Sequence, residues 1–321
     1  MDDDKTYFQT LQKSVEKMII DDPLLGLIGN TPAIPLKRMI KGPGRLKLKL
    51  EGMNPSGSLK DRAALYTIAN AIRTGELNPD RHILDASSGN MSSALCFVAN
   101  RLGYKTTFVV GNTLTQEKRQ FMELFGARLI PYDGNTWESS AYARKVAEDD
   151  PDKYCFVDQF HNKANLTAHY MTTGPEMLKE EPDIDVYIAS LGSGASLCGA
   201  GKYLKQLKPD IRIVGVTATT GTRIPGLRNL EEEGFKPPLA DFELLDDVIR
   251  VAEDDALDMT KTVLREEGLL LSLQGGAVVR AALNFMGKKS NETCRIIALI
   301  GESFWKGMDV LMSRMNQQDC R

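Results

Sequence analysis

The chain has 321 residues, 42% hydrophobic and 26% charged, with a formal net charge of -3. That describes a globular chain long enough for about two domains, without the basic field that nucleic acid or an anionic membrane would require. No apolar run is long enough to span a bilayer, and five scattered cysteines and three histidines lack disulfide or metal spacing, which predicts reduced thiols, a cytoplasmic setting and no metal site.

The chain opens MDDDKTYFQTLQKS, acidic and polar, unlike a signal or transit peptide. Its first 20 residues read as an amphipathic helix that either caps its own domain or packs on a neighbouring subunit. RLKLKLE (45–51) alternates strictly, so it has one wet face and is expected at a sheet edge. NPSGSLKDRAAL follows at 54–65. Small, turn-forming residues lead into a helical pattern in which Ala63, Ala64, Ile68 and Ile72 share a face. Ser58 reads as the N-cap, which puts Lys60 in the first turn. The helix dipole disfavours a cation there, so the position suits Asp61 and, for Lys60, favours the free amine.

Further strands are read at HILDAS (82–87), TTFVVG (106–111), ARLIPY (127–132), YCFVDQF (154–160), DVYIASLG (185–192), RIVGVTA (212–218) and CRIIALIG (294–301), with helical stretches at 91–102, 116–125, 137–149 and 196–207. The strands are short, β-branched and apolar throughout, as strands covered on both faces are. The alternation is that of an α/β protein with a mostly parallel sheet. Sites in such folds lie beyond the C-terminal ends of strands. Two of those turns stand out: SSGN (87–90) and LGSGAS (191–196). The second has main-chain N–H groups and the Ser193 and Ser196 hydroxyls available to wrap a phosphate at a helix start. Neither it nor NPSGSLKD has dinucleotide or Walker spacing. A lysine at a turn mouth, a Ser/Asn turn and a phosphate-type nest share one chemistry. A free amine condenses with an aldehyde, and pyridoxal 5'-phosphate supplies aldehyde and phosphate together.

These motifs, with QFHNKAN (159–165), TTGPE (172–176), EEGLLLSLQGGA (266–277) and the early LIGNTP (27–32), occur in the order of the cysteine synthase family, which the chain resembles from about residue 22 to 312. The resemblance implies a fold-type II pyridoxal-phosphate enzyme: an α/β chain of two open, twisted, mostly parallel sheets flanked by helices, with the cofactor between domains. It implies an N-terminal helix and segment joining the large domain (1–47), a small mobile substrate-binding domain (48–150) and a large cofactor-phosphate domain (151–321). It also implies a homodimer. Carried over by position, Lys60 is the Schiff-base lysine and Asn90 the partner of the cofactor's 3'-oxygen. Gly192, Ser193, Gly194, Ala195 and Ser196 hold the 5'-phosphate, with Ala195 in place of a common glycine. Ser87, Ser88 and Gln159 bind the substrate α-carboxylate. GLRNLEEEGF (226–235) resembles the segment of O-phosphoserine-using cysteine synthases, in which Arg228 reads the substrate phosphate; Arg223 competes for that role.

Three positions depart from the family pattern. Met91 stands where a threonine normally binds the carboxylate, Gln274 where a serine faces the pyridine nitrogen, and Lys163 where a proline is usual. Ser272 stands two residues before Gln274, and Ser303 is another polar group near the end of the last strand. The expected activity is β-replacement on an activated L-serine, O-phosphoserine before O-acetylserine, with a sulfur nucleophile to give L-cysteine. The alternatives are another nucleophile, such as an amine giving a diaminopropionate-type product, and a non-catalytic binding protein.

Overall fold

The computed structural model describes residues 2–319 apart from 88, 113, 115 and 230–235. The chain begins with α1 (Asp2–Asp21), β1 (Ala33–Pro35), β2 (Arg45–Leu50), α2 (Lys60–Thr74), β3 (His82–Ala86) and α3 (Asn90–Arg101). It continues through β4 (Thr106–Val110), α4 (Gln116–Leu124), β5 (Arg128–Pro131), α5 (Thr136–Asp149), β6 (Tyr154–Phe156), α6 (Lys163–Ala168) and α7 (Gly174–Glu180). The last part holds β7 (Val186–Ser190), α8 (Ala195–Leu207), β8 (Arg212–Ala218), β9 (Asp247–Val251), α9 (Glu253–Glu267), α10 (Leu273–Met286), β10 (Arg295–Ile300) and α11 (Met308–Asp319). The chain divides into two compact units, residues 1–29 with 54–171 and residues 30–53 with 172–321.

The first unit is built on a parallel sheet in the order β5-β4-β3-β6. Alanines on α2 and α3 (Ala63, Ala64, Ala94, Ala99) let the two helices approach closely, and Leu65, Ile68, Leu95 and Val98 fill the space around them. Each such leucine or isoleucine removed from water stabilises the fold by about 2 kcal/mol. Leu11 and Val15 of α1 are buried in the same core, Tyr66 donates to Gln12, and Lys163 pairs with Asp4. Of the two readings of the N-terminal helix, the structure therefore shows the one in which it caps its own unit. YCFVDQF ends as a strand at Phe156, not at residue 160, because Asp158 turns the chain out of extended backbone with φ of +45°.

The second unit holds the sheet β1-β2-β10-β7-β8-β9, parallel except for β1. Val186, Ile188, Val214, Val216, Ile296 and Ala298 form its buried centre with α10. RLKLKL is not the edge: β1 covers it on one side and β10 on the other. Its charged face dries along the strand, from an exposed Arg45 through a half-buried Lys47 to a buried Lys49. Lys49 has no exposed surface and its Nζ lies 2.8 Å from Glu176 and 2.9 Å from Glu180. Lys47 and Arg45 pair with Glu181 at 3.2 and 3.0 Å. At Lys49 the face that alternation predicts as polar is covered by the carboxylates of α7, and at its start Arg45 stays exposed. β1 and β9, which the sequence reading did not name, are the edge strands.

The units do not follow the boundaries expected at 47 and 150. β6 belongs with the first unit because Tyr154, Cys155 and Phe156 pair with His82, Ile83 and Leu84. The helix α1 joins that unit through its packing on α2. Residues 30–53 join the second because β2 pairs with β10 from Arg45↔Arg295 to Leu50↔Ile300.

Lys49→Met leaves Glu176 and Glu180 facing each other without their cation. A loss of about 3 kcal/mol is expected in urea unfolding at pH 7. The deficit shrinks toward pH 4, where the carboxylates take up protons.

Candidate active site

In the first unit Lys60 is the first residue of α2, half-buried. Leu59 holds the cap position, but Ser58 still performs the capping, since its Oγ accepts the Lys60 N–H at 3.3 Å. The loop before it is tied down from inside the helix. Asp61, fully buried, accepts from the Ser56 N–H at 2.6 Å and from the Ser56 hydroxyl. The Asn54 carbonyl closes the turn by accepting the Gly57 N–H at 2.8 Å. The acid satisfies the positive end of the helix, and the lysine is left as the group that the dipole does not favour as a cation.

The β3–α3 turn carries Ser87, Asn90 and Met91; Ser88 lies outside the described residues. Ser87 Oγ accepts the Gly89 and Ser92 N–H groups at 3.4 and 3.2 Å, so it secures the start of α3. Asn90 is the first residue of that helix. Met91 is 1% exposed and packs in the core with Ala94 and Leu95. Its side chain is therefore a packing group, not the substrate ligand that the family position implied. Gln159 is brought to this turn by β6: its Nε2 donates to the Ala86 carbonyl at 3.2 Å. Lys163 begins α6 and pairs with Asp4 of α1.

Sequence reading passed over Asp85, an acid inside the apolar run HILDA, which was the available signal. It is 1% exposed. Burial pushes its carboxyl up to about 7. The Ala86 and Gln159 N–H groups and the charge of Lys60 pull it back, while the charge of Asp158 pushes the same way as burial.

In the second unit the β7–α8 turn carries Gly192, Ser193, Gly194 and Ala195. Gly194 is the cap of α8 with φ of +85°, a conformation that a side chain resists. It offers no side-chain acceptor to the helix start; Ser193 Oγ reaches the Ala195 N–H at 3.5 Å. Ala195 is fully buried, so a methyl fits where the family often has glycine. Ser196 lies in the first turn. The Arg228 main chain is bound to this turn, donating to the Leu191 carbonyl at 3.0 Å, and its own carbonyl accepts the Ala218 N–H at 3.3 Å. Arg223 is exposed, and residues 230–235 lie outside the described residues.

Gln274 and Ser272 separate cleanly. Ser272 caps α10, its Oγ accepting the Gly275 N–H at 3.3 Å. Gln274 reaches Ser190 at the end of β7, with Nε2 donating to Ser190 Oγ at 3.0 Å. Gly226 passes so close that a Cβ there would lie 2.8 Å from Gln274 Nε2. Gln274 Oε1 is buried with no partner among the described residues. The donor set fits pyridoxal phosphate on these observations. The α8 start has main-chain N–H groups and serine hydroxyls for a phosphate, and the buried amide has an oxygen still to be satisfied by a polar group. Cys96, Cys155, Cys198 and Cys294 are buried free thiols, and burial raises Cys155 to about 11, which leaves it unreactive. No group of metal-ligating side chains occurs among the described residues, and no described helix is long and apolar enough to cross a membrane.

The sequence model of the family of pyridoxal-phosphate dependent enzymes matches residues 24–300. A cysteine synthase of Staphylococcus aureus is 35% identical over 271 residues, covering 82% of this chain and 87% of that protein. A solved structure of a hydrogen sulfide-producing enzyme from Fusobacterium nucleatum has a TM-score of 0.83 at 31% identity, over 88% of this chain and 96% of that one. An O-ureido-L-serine synthase structure has a TM-score of 0.82 at 28% identity, over 89% and 92%.

Ser272→Ala tests the assignment of the two α10 residues. Loss of a cap costs about 1 kcal/mol, so the urea midpoint falls while the bound-cofactor absorbance of the purified protein stays.

Proposed function

We propose that the chain, which belongs to the pyridoxal-phosphate-dependent enzyme family, replaces the β-substituent of an activated L-serine with a sulfur nucleophile to give L-cysteine, and that its activated serine is O-phosphoserine. Membership makes it a cofactor-bearing enzyme of the cysteine synthase type. The choice of substrate is supported by one observation. Arg228, half-buried, is bonded through its main chain to Leu191, directly before the phosphate-type turn. With its main chain fixed beside that turn, its guanidinium would offer a planar, paired set of donors to a second phosphate.

When bound, pyridoxal phosphate supplies an aldehyde for the substrate amine and an electron sink for charge left on Cα. The Gly192–Ser196 turn holds the cofactor phosphate with main-chain N–H groups, reinforced by the serine hydroxyls. Gln274 offers its Oε1 to the ring, and Asn90 its side chain. Ser87 and Gln159 hold the substrate α-carboxylate at the start of α3, where the helix dipole favours an anion. Lys60 Nζ, as a free amine, takes the proton from Cα and later returns it. Asp61 and Ser58 keep Lys60 at the helix start. Arg228 holds the oxygens of the phosphate that leaves Cβ, so that charge developing there is met by a fixed cation. A homodimer in the cytoplasm is the proposed setting.

A second reading keeps these roles and changes the nucleophile. It is favoured by Met91, which removes a hydroxyl from the α3 start, and by a neighbour of the same fold that makes O-ureido-L-serine. A screen of sulfur and amine nucleophiles in the presence of O-phosphoserine separates the two.

The purified protein is expected to be yellow, and Lys60→Ala to lose turnover together with the wild-type cofactor absorbance. Titration with O-phosphoserine and O-acetylserine, followed by that absorbance, reads substrate choice. Arg228→Ala should weaken O-phosphoserine by about tenfold to a hundredfold, the range of a charge-assisted pair, and leave O-acetylserine nearly unchanged. Equal weakening of both would remove the arginine as a phosphate reader.

A further inference from the structure

Asp85 is a buried ionisable group that the reaction above leaves without a task. Its carboxylate accepts the N–H groups of Ala86 and Gln159, and Gln159 returns a bond from its side chain to the Ala86 carbonyl at 3.2 Å. Asn165 holds the Gln159 carbonyl from the other side at 2.8 Å. One carboxyl group thus joins the turn that carries Ser87 to the turn that carries Gln159. Its second oxygen, Oδ2, is buried with no partner among the described residues. An ionised oxygen in that state is far more costly than a neutral one.

The charges around it are few. Lys60 of α2 attracts the ionised form and Asp158 opposes it. Asp158 is itself engaged by Arg144 of α5 and by His161, the latter at 3.0 Å. From β4 the register partner is Phe108, and α5 also faces the sheet with Ser139, Ser140 and Ala143. Burial outweighs the donors and leaves the carboxyl at about 7, so its proton is exchanged in the neutral range.

We propose that Asp85 is a positioning residue of the two carboxylate-binding turns, acting through the main chain of Ala86 and Gln159, and that these turns take an anionic substrate with Asp85 in its neutral form. The inference rests on the reading that Ser87 and Gln159 bind the α-carboxylate. Two effects of the proton run in one direction. A neutral Asp85 removes a negative charge two residues from Ser87, where the substrate brings its own. It also releases Lys60 from a partner that favours the ammonium form. By reciprocity, an anionic ligand that binds better to the protonated form must raise the proton affinity of Asp85.

The first measurement needs no cofactor. A carboxyl whose folded proton affinity exceeds its unfolded one binds a proton between about pH 4 and 7 only when folded, so its contribution to stability falls as pH rises through that window. Urea unfolding of the cofactor-free protein should show this decline, and Asp85→Asn, which copies the neutral shape, should lack it. The second measurement is calorimetric binding of L-serine to the holoenzyme at pH 6, 7 and 8. The ratio of affinities, Asp85→Asn over wild type, should rise from about one at pH 6 to about tenfold at pH 8, the effect of one unit of proton affinity. Asp85→Ala, which removes the acceptor, should bind weakly at every pH. Parallel stability curves, or an affinity ratio that does not change with pH, would overturn the proposal. Absence of L-serine binding in both proteins would overturn it as well, together with the carboxylate role of Ser87 and Gln159, and so marks a failure of the functional reading itself.

Discussion

The start of a helix presents N–H groups that have no partner within the helix, and each needs an acceptor. That demand arranges the chemistry of both units. At α2 the acceptor is Ser58, while Asp61 ties down the loop before it. At α3 the acceptor is Ser87, at α5 it is Asn135 with Glu138 in a reciprocal pair, and at α6 and α10 they are Asn162 and Ser272. The start of α8 differs. Its cap is a left-handed glycine, and the nearest hydroxyl stands at 3.5 Å. A phosphate from outside the chain suits that end, and of the residues that finish the other helices Ser87 is also proposed to meet the substrate.

The two units hold opposite solutions to a buried charge. Lys49 has no exposed surface, yet two carboxylates at 2.8 and 2.9 Å compensate it. Such a group contributes to registry and little to reactivity. Asp85 has two N–H donors on its carboxylate, one oxygen left over and a like charge nearby. The incomplete satisfaction of Asp85 keeps its proton mobile. Burial alone does not distinguish the two; the completeness of their partners does.

Much of the fold was legible because its signals are local. NPSGSLKD, SSGN and LGSGAS are contiguous, and the turn chemistry that makes Lys60, Asn90 and Gly194 special is written within a few residues of each. The strand cores were equally plain, since β-branched apolar runs declare themselves. What the sequence hid was set by distant partners. Lys49 on the alternating face of RLKLKL looks wet until the carboxylates of α7 cover it. Asp85 looks like an ordinary strand acid until Gln159 brings an N–H to it. Met91 occupies a ligand's place in the motif, yet its side chain turns into a core filled from α3 and its neighbours. The expected domain boundaries failed for the same reason, because pairing of β6 with β3 and of β2 with β10 is not a local property.

The position of β10 has a consequence for how the chain is made. It is the last described strand in chain order, yet in the sheet it stands between β2 and β7, so the strand that joins those two is made after all the others. The first unit has all its residues once position 171 has emerged. A nascent chain can therefore complete the lysine-bearing unit while the other waits with β2 and β7 each open on one edge, paired only to β1 and β8. Through that interval two open strand edges are exposed on the ribosome, and premature release would leave a chain with one finished half and one half inclined to aggregate.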